Sequence, residues 1–153
     1  MAQSRATAAR IMTYVMNGHS LSDSLPKGLA TLREIRDRAF VQALCYGVCR
    51  YFSRLDVLLK VYLEKPLKNA DIDIKALLLI GLYQLTDMRV APHAAVSETV
   101  QATEVLGKPW ARGLVNAVLR RHQREAEKLA ITDPVYVYAH PNWWIKKIRD
   151  AYP

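Results

Sequence analysis

The chain has 153 residues, of which 51% are hydrophobic, so it suits one domain with a real core; with only 6 Gly and 7 Pro it favours helices over strands. The net charge of +8 divides as +5 over residues 1–60, −2 over 61–107 and +5 over 108–153; basic flanks around a neutral-to-acidic middle suit a polyanion, although a solvated basic surface gives the same count. Two cysteines make no disulfide framework, the N-terminus lacks an apolar signal core, and the longest uncharged apolar-rich run in the middle of the chain, Ala76–Thr86, has 11 residues where a membrane span needs ~20, so a soluble cytoplasmic protein is expected.

In chain order, Ala8, Ile11, Met12 and Val15 predict a helix over about 5–17, closed by Gly18. Residues 19–30 read as a loop, with at most a short turn around 21–25. Thr31 and Glu34 form a capping-box pattern ahead of an apolar stripe at Phe40, Leu44, Gly47, Val48 and Tyr51. Ser53 with Asp56 marks a further start, and Leu55, Leu58, Leu59 and Tyr62 repeat at helical spacing. A linker over 64–70 follows. Residues 72–85 are apolar nearly all round, which predicts a central helix buried by others. Pro92 suits the first position of the next helix, which should end at Gly107 with Ala95, Thr99, Ala102 and Leu106 inside and Ser97, Gln101 and Glu104 outside. Another helix covers about 109–128, with Ala111, Leu114, Val115, Val118, Leu119 and His122 inward. A less regular segment begins at Asp133-Pro134, and His140-Pro141-Asn142-Trp143-Trp144 opens a last helix. No period-two pattern persists, so the expected fold is all-α with about seven helices.

Candidate chemistry is sparse. The six glycines stand at 18, 28, 47, 81, 107 and 113, no two within five residues, and none follows a strand pattern, so no Gly-rich cofactor loop is legible. Cys45 and Cys49 share a helix face and read either as small buried residues or as a redox or metal pair. His19, His93, His122 and His140 show no ligand spacing, and Ser20, Ser22 and Ser24 no nucleophile elbow. The expectation is therefore no catalytic residue, no metal site and no cofactor in this chain. The basic positions are more informative. Arg112, Asn116, Arg120 and Arg124 recur every four residues and form a stripe that drifts slowly around one helix, with Arg121 and Lys108 nearby. Arginine can hold two phosphate oxygens at once and asparagine can read a base or a ribose hydroxyl. The alternative is a solvated helix back, with Asn116 as a structural hydrogen-bonder.

The run 81–121, GLYQLTDMRVAPHAAVSETVQATEVLGKPWARGLVNAVLRR, resembles the NusB-like domain at the N-terminus of the RsmB (Sun/Fmu) 16S ribosomal RNA cytosine-C5 methyltransferases. Gly18-His19-Ser20-Leu21-Ser22, Leu44-Cys45-Tyr46-Gly47-Val48-Cys49-Arg50 and the His140-Pro141-Asn142-Trp143-Trp144 element extend the resemblance over about 5–152. The last of these favours that family over stand-alone NusB-type antitermination factors, the alternative assignment. The resemblance implies a parent enzyme that uses S-adenosylmethionine and whose thiolate nucleophile and second cysteine lie in Thr-Cys and Pro-Cys contexts. Cys45 follows Leu44 and Cys49 follows Val48, so neither matches. It also implies that Arg5 and Arg10 belong to an N-terminal RNA-binding segment, although these two arginines are fewer than NusB proteins carry there. The expected organisation is a NusB-like RNA-binding domain over 4–130, then a connection over 131–153 toward a catalytic domain absent from this chain. Its expected partners are small-subunit ribosomal RNA and that catalytic domain, on which the Trp143-Trp144 region would dock.

Overall fold

The computed structural model describes residues 2–132, and side-chain burial from 2 to 126. The connection expected over 131–153, with its last helix and Trp143-Trp144, lies all but wholly outside the described residues. Seven α-helices make up the described part: α1 (Ala2–Met16), α2 (Leu21–Leu29), α3 (Ile35–Arg50), α4 (Phe52–Tyr62), α5 (Ile72–Thr86), α6 (Pro92–Val105) and α7 (Arg112–Thr132). Short 3-10 turns at Asn69–Asp71 and Pro109–Ala111 lead into α5 and α7. No strand occurs among the described residues.

The all-round apolar sequence of α5 makes it the axis. Ile74, Ala76 to Leu82 and Gln84 are all buried, and α1, α3, α4, α6 and α7 pack around it. Each surrounding helix needs only one apolar stripe to close the core. Where α5 crosses α6 and α7, Gly81 leaves no room for a side chain: a Cβ there would stand 2.8 Å from both Leu119 methyls and 3.2 Å from Thr99 Cγ2. Pro92 opens α6, as its fixed φ allows. Gly18 and Gly107 take φ values of 102° and 74°, the left-handed conformation that ends a helix at little cost for glycine, after α1 and α6.

Two local expectations need correction. Residues 19–30 are not a loop: Ser20 accepts the Asp23 amide (3.2 Å) as the N-cap of α2, and the helix runs on through Pro26 and Gly28. Tertiary contact overrides their poor helix propensity, because Gly28 presses directly on the Ile11 side chain of α1. Thr31 and Glu34 do not form a capping box. Thr31 Oγ1 donates to the Gly28 carbonyl (2.7 Å) at the end of α2, and Glu34 is an extended N-cap residue whose side chain makes no capping bond. The count of about seven helices is met with a different membership, since α2 was not among the helices expected.

A polar chain threads the core. Arg5, only 3% exposed, donates from Nε to Gln84 Oε1 (3.0 Å) and lies 4.9 Å from the Phe40 ring centre. Gln84 Nε2 in turn donates to Thr99 Oγ1 (3.1 Å) and to the Ile80 carbonyl (3.2 Å). The chain ties α1, α5 and α6 together and fixes the face that α6 offers α7.

Candidate nucleic-acid interface

The inner face of α7 is set by Val115, Val118, Leu119 and His122, all buried. At 100° per residue, Arg112, Asn116 and Arg120 then fall on the flank toward α6, Arg124 on the outer face, and Arg121 on the flank toward α4. Between α6 and α7 runs a groove of about 470 Å³. Arg112, Asn116 and Arg120 line one wall, and His93, Ser97 and Gln101 the other. Arginines stand on one side, and hydrogen-bonding side chains on both. Among the described residues, no side-chain hydrogen bond engages Asn116, Gln101 or Arg124, so their donors and acceptors face solvent.

The remaining candidates are more committed. Arg112 pairs with Glu104 of α6 across the end of the groove, both half-exposed. Arg120 reaches Gln123 at 3.5 Å, a weak contact. Arg121 leans 5.1 Å from the Tyr62 ring centre, and its Nε meets Glu125 at 3.4 Å. Beneath it, the Tyr62 hydroxyl and His122 Nδ1 are 2.8 Å apart, so His122 is the hydrogen-bonded core-edge group that its apolar face suggested.

Lys108 is an anchor. Its Nζ donates to Asp73 Oδ1 (2.7 Å) and the Ala70 carbonyl (2.6 Å) and pairs with Asp71 Oδ1 (3.1 Å), clamping the turn before α7 to the start of α5. Burial opposes its charge, but the hydrogen bonds and fields of the two aspartates outweigh that and raise its pKa. Arg10 is exposed and donates from one Nη to the Val105 carbonyl (3.0 Å), satisfying the C-terminal turn of α6. Arg5, expected in an N-terminal RNA-binding segment, is buried in the core with its Nε on Gln84.

The cysteines carry no site. Cys45 is buried with its thiol 3.9 Å from the Ala8 carbonyl, and burial first, then the field of Cys49, pushes its pKa up to about 12. Cys49 Sγ lies 3.8 Å from Met12 Sδ, and burial raises its pKa too. Both stay thiols at neutral pH, the opposite of what a nucleophile needs.

Residues 2–124 match the family described as the NusB family. The chain belongs to that family. Within it, this chain is similar to proteins named ribosomal RNA small subunit methyltransferase B. The one from Pseudomonas putida is 48% identical, over 97% of this chain and 35% of its own length. That from Vibrio cholerae is 43% identical and that from Escherichia coli 37%, with the same shares covered. The chain thus spans about a third of the length of the curated relatives it matches. The helical architecture is that of a NusB family member. No helix among the described residues is long and apolar enough to cross a membrane.

Gly28, Gly47 and Gly81 are filled against Ile11, Tyr83 and Leu119, and Gly18 and Gly107 end helices.

Proposed function

We propose that this NusB-family domain holds RNA for a ribosomal RNA cytosine-C5 methyltransferase whose chemistry resides in the remainder of a longer chain. The α6–α7 groove carries the reading. It sets Arg112 and Arg120 beside the hydrogen-bonding groups of Asn116, Gln101, Ser97 and His93, which is how a protein holds a phosphate backbone and touches bases or ribose hydroxyls. Arg124 extends the positive path along the outside of α7. The names of the relatives support small-subunit ribosomal RNA as the polymer, cytoplasm as the compartment and S-adenosylmethionine as the cofactor of the whole enzyme. They also favour this reading over a stand-alone antitermination factor, since their match extends over 97% of this chain. The second partner is then the catalytic part of the same polypeptide.

The test is the salt dependence of binding to a single-stranded ribosomal RNA fragment, read by fluorescence anisotropy. Each phosphate contact contributes about 0.7 to the slope of log affinity against log salt. The double variant Arg120→Glu/Arg124→Glu should weaken binding at least tenfold and flatten the slope by roughly 1.4, the loss of two such contacts. An unchanged affinity in a variant with native circular dichroism would remove the groove from the interface.

A further inference from the structure

A second cavity, of about 610 Å³, opens between α1 and α2. Ile11 forms an apolar wall, Tyr14 and His19 an aromatic pair, Asp23 a carboxylate, and Arg10 and Lys27 two cations. Tyr14 is 58% exposed, and His19 meets it edge-on at 5.9 Å with the planes at 80°. That contact steadies the Tyr14 ring while leaving much of it open. Gly28 against Ile11 fixes how closely α2 approaches α1, and so sets the cavity width.

The two cavities are linked through α6. Arg10 binds the Val105 carbonyl, and Arg112 at the groove end binds Glu104, the residue before it. One helical turn therefore has an arginine of the cavity on one side and an arginine of the groove on the other.

We propose that the α1–α2 cavity takes one unpaired nucleotide of the RNA whose backbone lies in the α6–α7 groove. This rests on the RNA-binding reading and extends it. The volume suits a nucleotide-sized ligand. A flat base stacks on Tyr14 beside Ile11, and Arg10 and Lys27 hold the phosphates on either side. The Asp23 carboxylate can only accept hydrogen bonds, so it selects a base whose pairing edge offers an amino group. Cytosine fits; uracil, whose edge places carbonyl oxygens on both sides of its single donor, is repelled.

The test compares cytidine and uridine homo-oligomers of equal length, by anisotropy, on the whole 153-residue chain. The cytidine oligomer should bind several-fold tighter. Tyr14→Ala, at an exposed position that the core does not need, should weaken it about tenfold, one stacked base. The salt slope should stay unchanged, because no phosphate contact is lost. Asp23→Asn, which supplies both a donor and an acceptor, should abolish the preference. If Tyr14→Ala and Asp23→Asn bind both oligomers like the parent while binding remains salt-dependent, the cavity proposal is overturned and the groove reading stands. If the parent chain shows no salt-dependent binding of either oligomer, the groove reading falls and the cavity proposal falls with it.

Discussion

The resemblance places Arg5 in an N-terminal RNA-binding segment, yet its side chain lies in the core. Burial pushes its pKa down and the field of Glu98 pulls it back up. Arginine holds its proton well above pH 7 in any case, so a charge sits inside and must be hydrogen-bonded there. Gln84 supplies the acceptor and passes the bond on to Thr99. Replacing Gln84 by Met keeps the volume but removes the acceptor Arg5 Nε uses and the donor Thr99 receives. Hydrogen bonds to charged groups contribute about 1.5–3 kcal/mol, so Gln84→Met should lower stability by roughly 2–3 kcal/mol. Urea unfolding at pH 7 measures this, and a loss under about 1 kcal/mol would mean the chain of bonds is incidental. Nothing in the sequence near Arg5 announces Gln84, which lies 79 residues away. Arg112, Asn116 and Arg120, by contrast, were legible as a set, because four-residue spacing on one helix needs no tertiary knowledge.

At the scale of elements, periodicity found α1, α3, α4, α5, α6 and α7 and missed α2. The miss has a physical cause. Pro26 and Gly28 within nine residues lower local helix propensity, and what holds α2 is the seat Gly28 makes on Ile11. The cavity beside α2 was hidden for the same reason, since Tyr14, Asp23 and Lys27 converge only if residues 21–29 are helical. The capping-box expectation failed on a similar point: the Thr31 hydroxyl served the end of the preceding helix, not the start of the next. Gly81 tests the packing of the elements that flank the groove. Its Cβ would lie 2.8 Å from the Leu119 methyls, and Leu119 is itself fully buried. Overpacking costs about 1–3 kcal/mol, while alanine in place of a mid-helix glycine returns up to about 1 kcal/mol. Gly81→Ala should therefore destabilise by about 1–2 kcal/mol, seen as a lower Tm in a thermal melt. A higher Tm would show that α6 and α7 yield easily against α5, and the groove between them would then not be a rigid site.

Over the whole molecule, several titratable groups prefer their protonated form in the fold. Burial raises the pKa of Cys45 to about 12 and that of Cys49 as well, where α3 meets α1. Burial raises Tyr62, against an opposing pull from Arg121, where α4 meets α7. Burial, then Asp87 and Tyr51, raise Tyr83 on α5. A pKa raised above its unfolded value gives stability that is complete below the unfolded pKa and is lost as pH climbs through the folded one. For these thiols and phenols the loss begins near pH 9 and, for Cys45, continues to about 12. Because the groups sit on three helices, α3, α4 and α5, the loss should be global and not confined to one end. One effect acts the other way: raising the pH toward the sequence pI of about 9.7 removes net positive charge and its self-repulsion. That effect is long-range and therefore screened, with a Debye length of about 8 Å at 0.15 M salt, whereas the burial of a thiol is not. At that ionic strength the urea midpoint should hold between pH 7 and 8.5 and fall steadily from pH 9 to 10.5. A Cys45→Ala/Cys49→Ala variant, less stable at pH 7 for its lost packing, should lose less over the same interval. A midpoint that rises between pH 9 and 10.5, or a variant that tracks the parent, would show that charge repulsion and not thiol burial governs the alkaline limit of this fold.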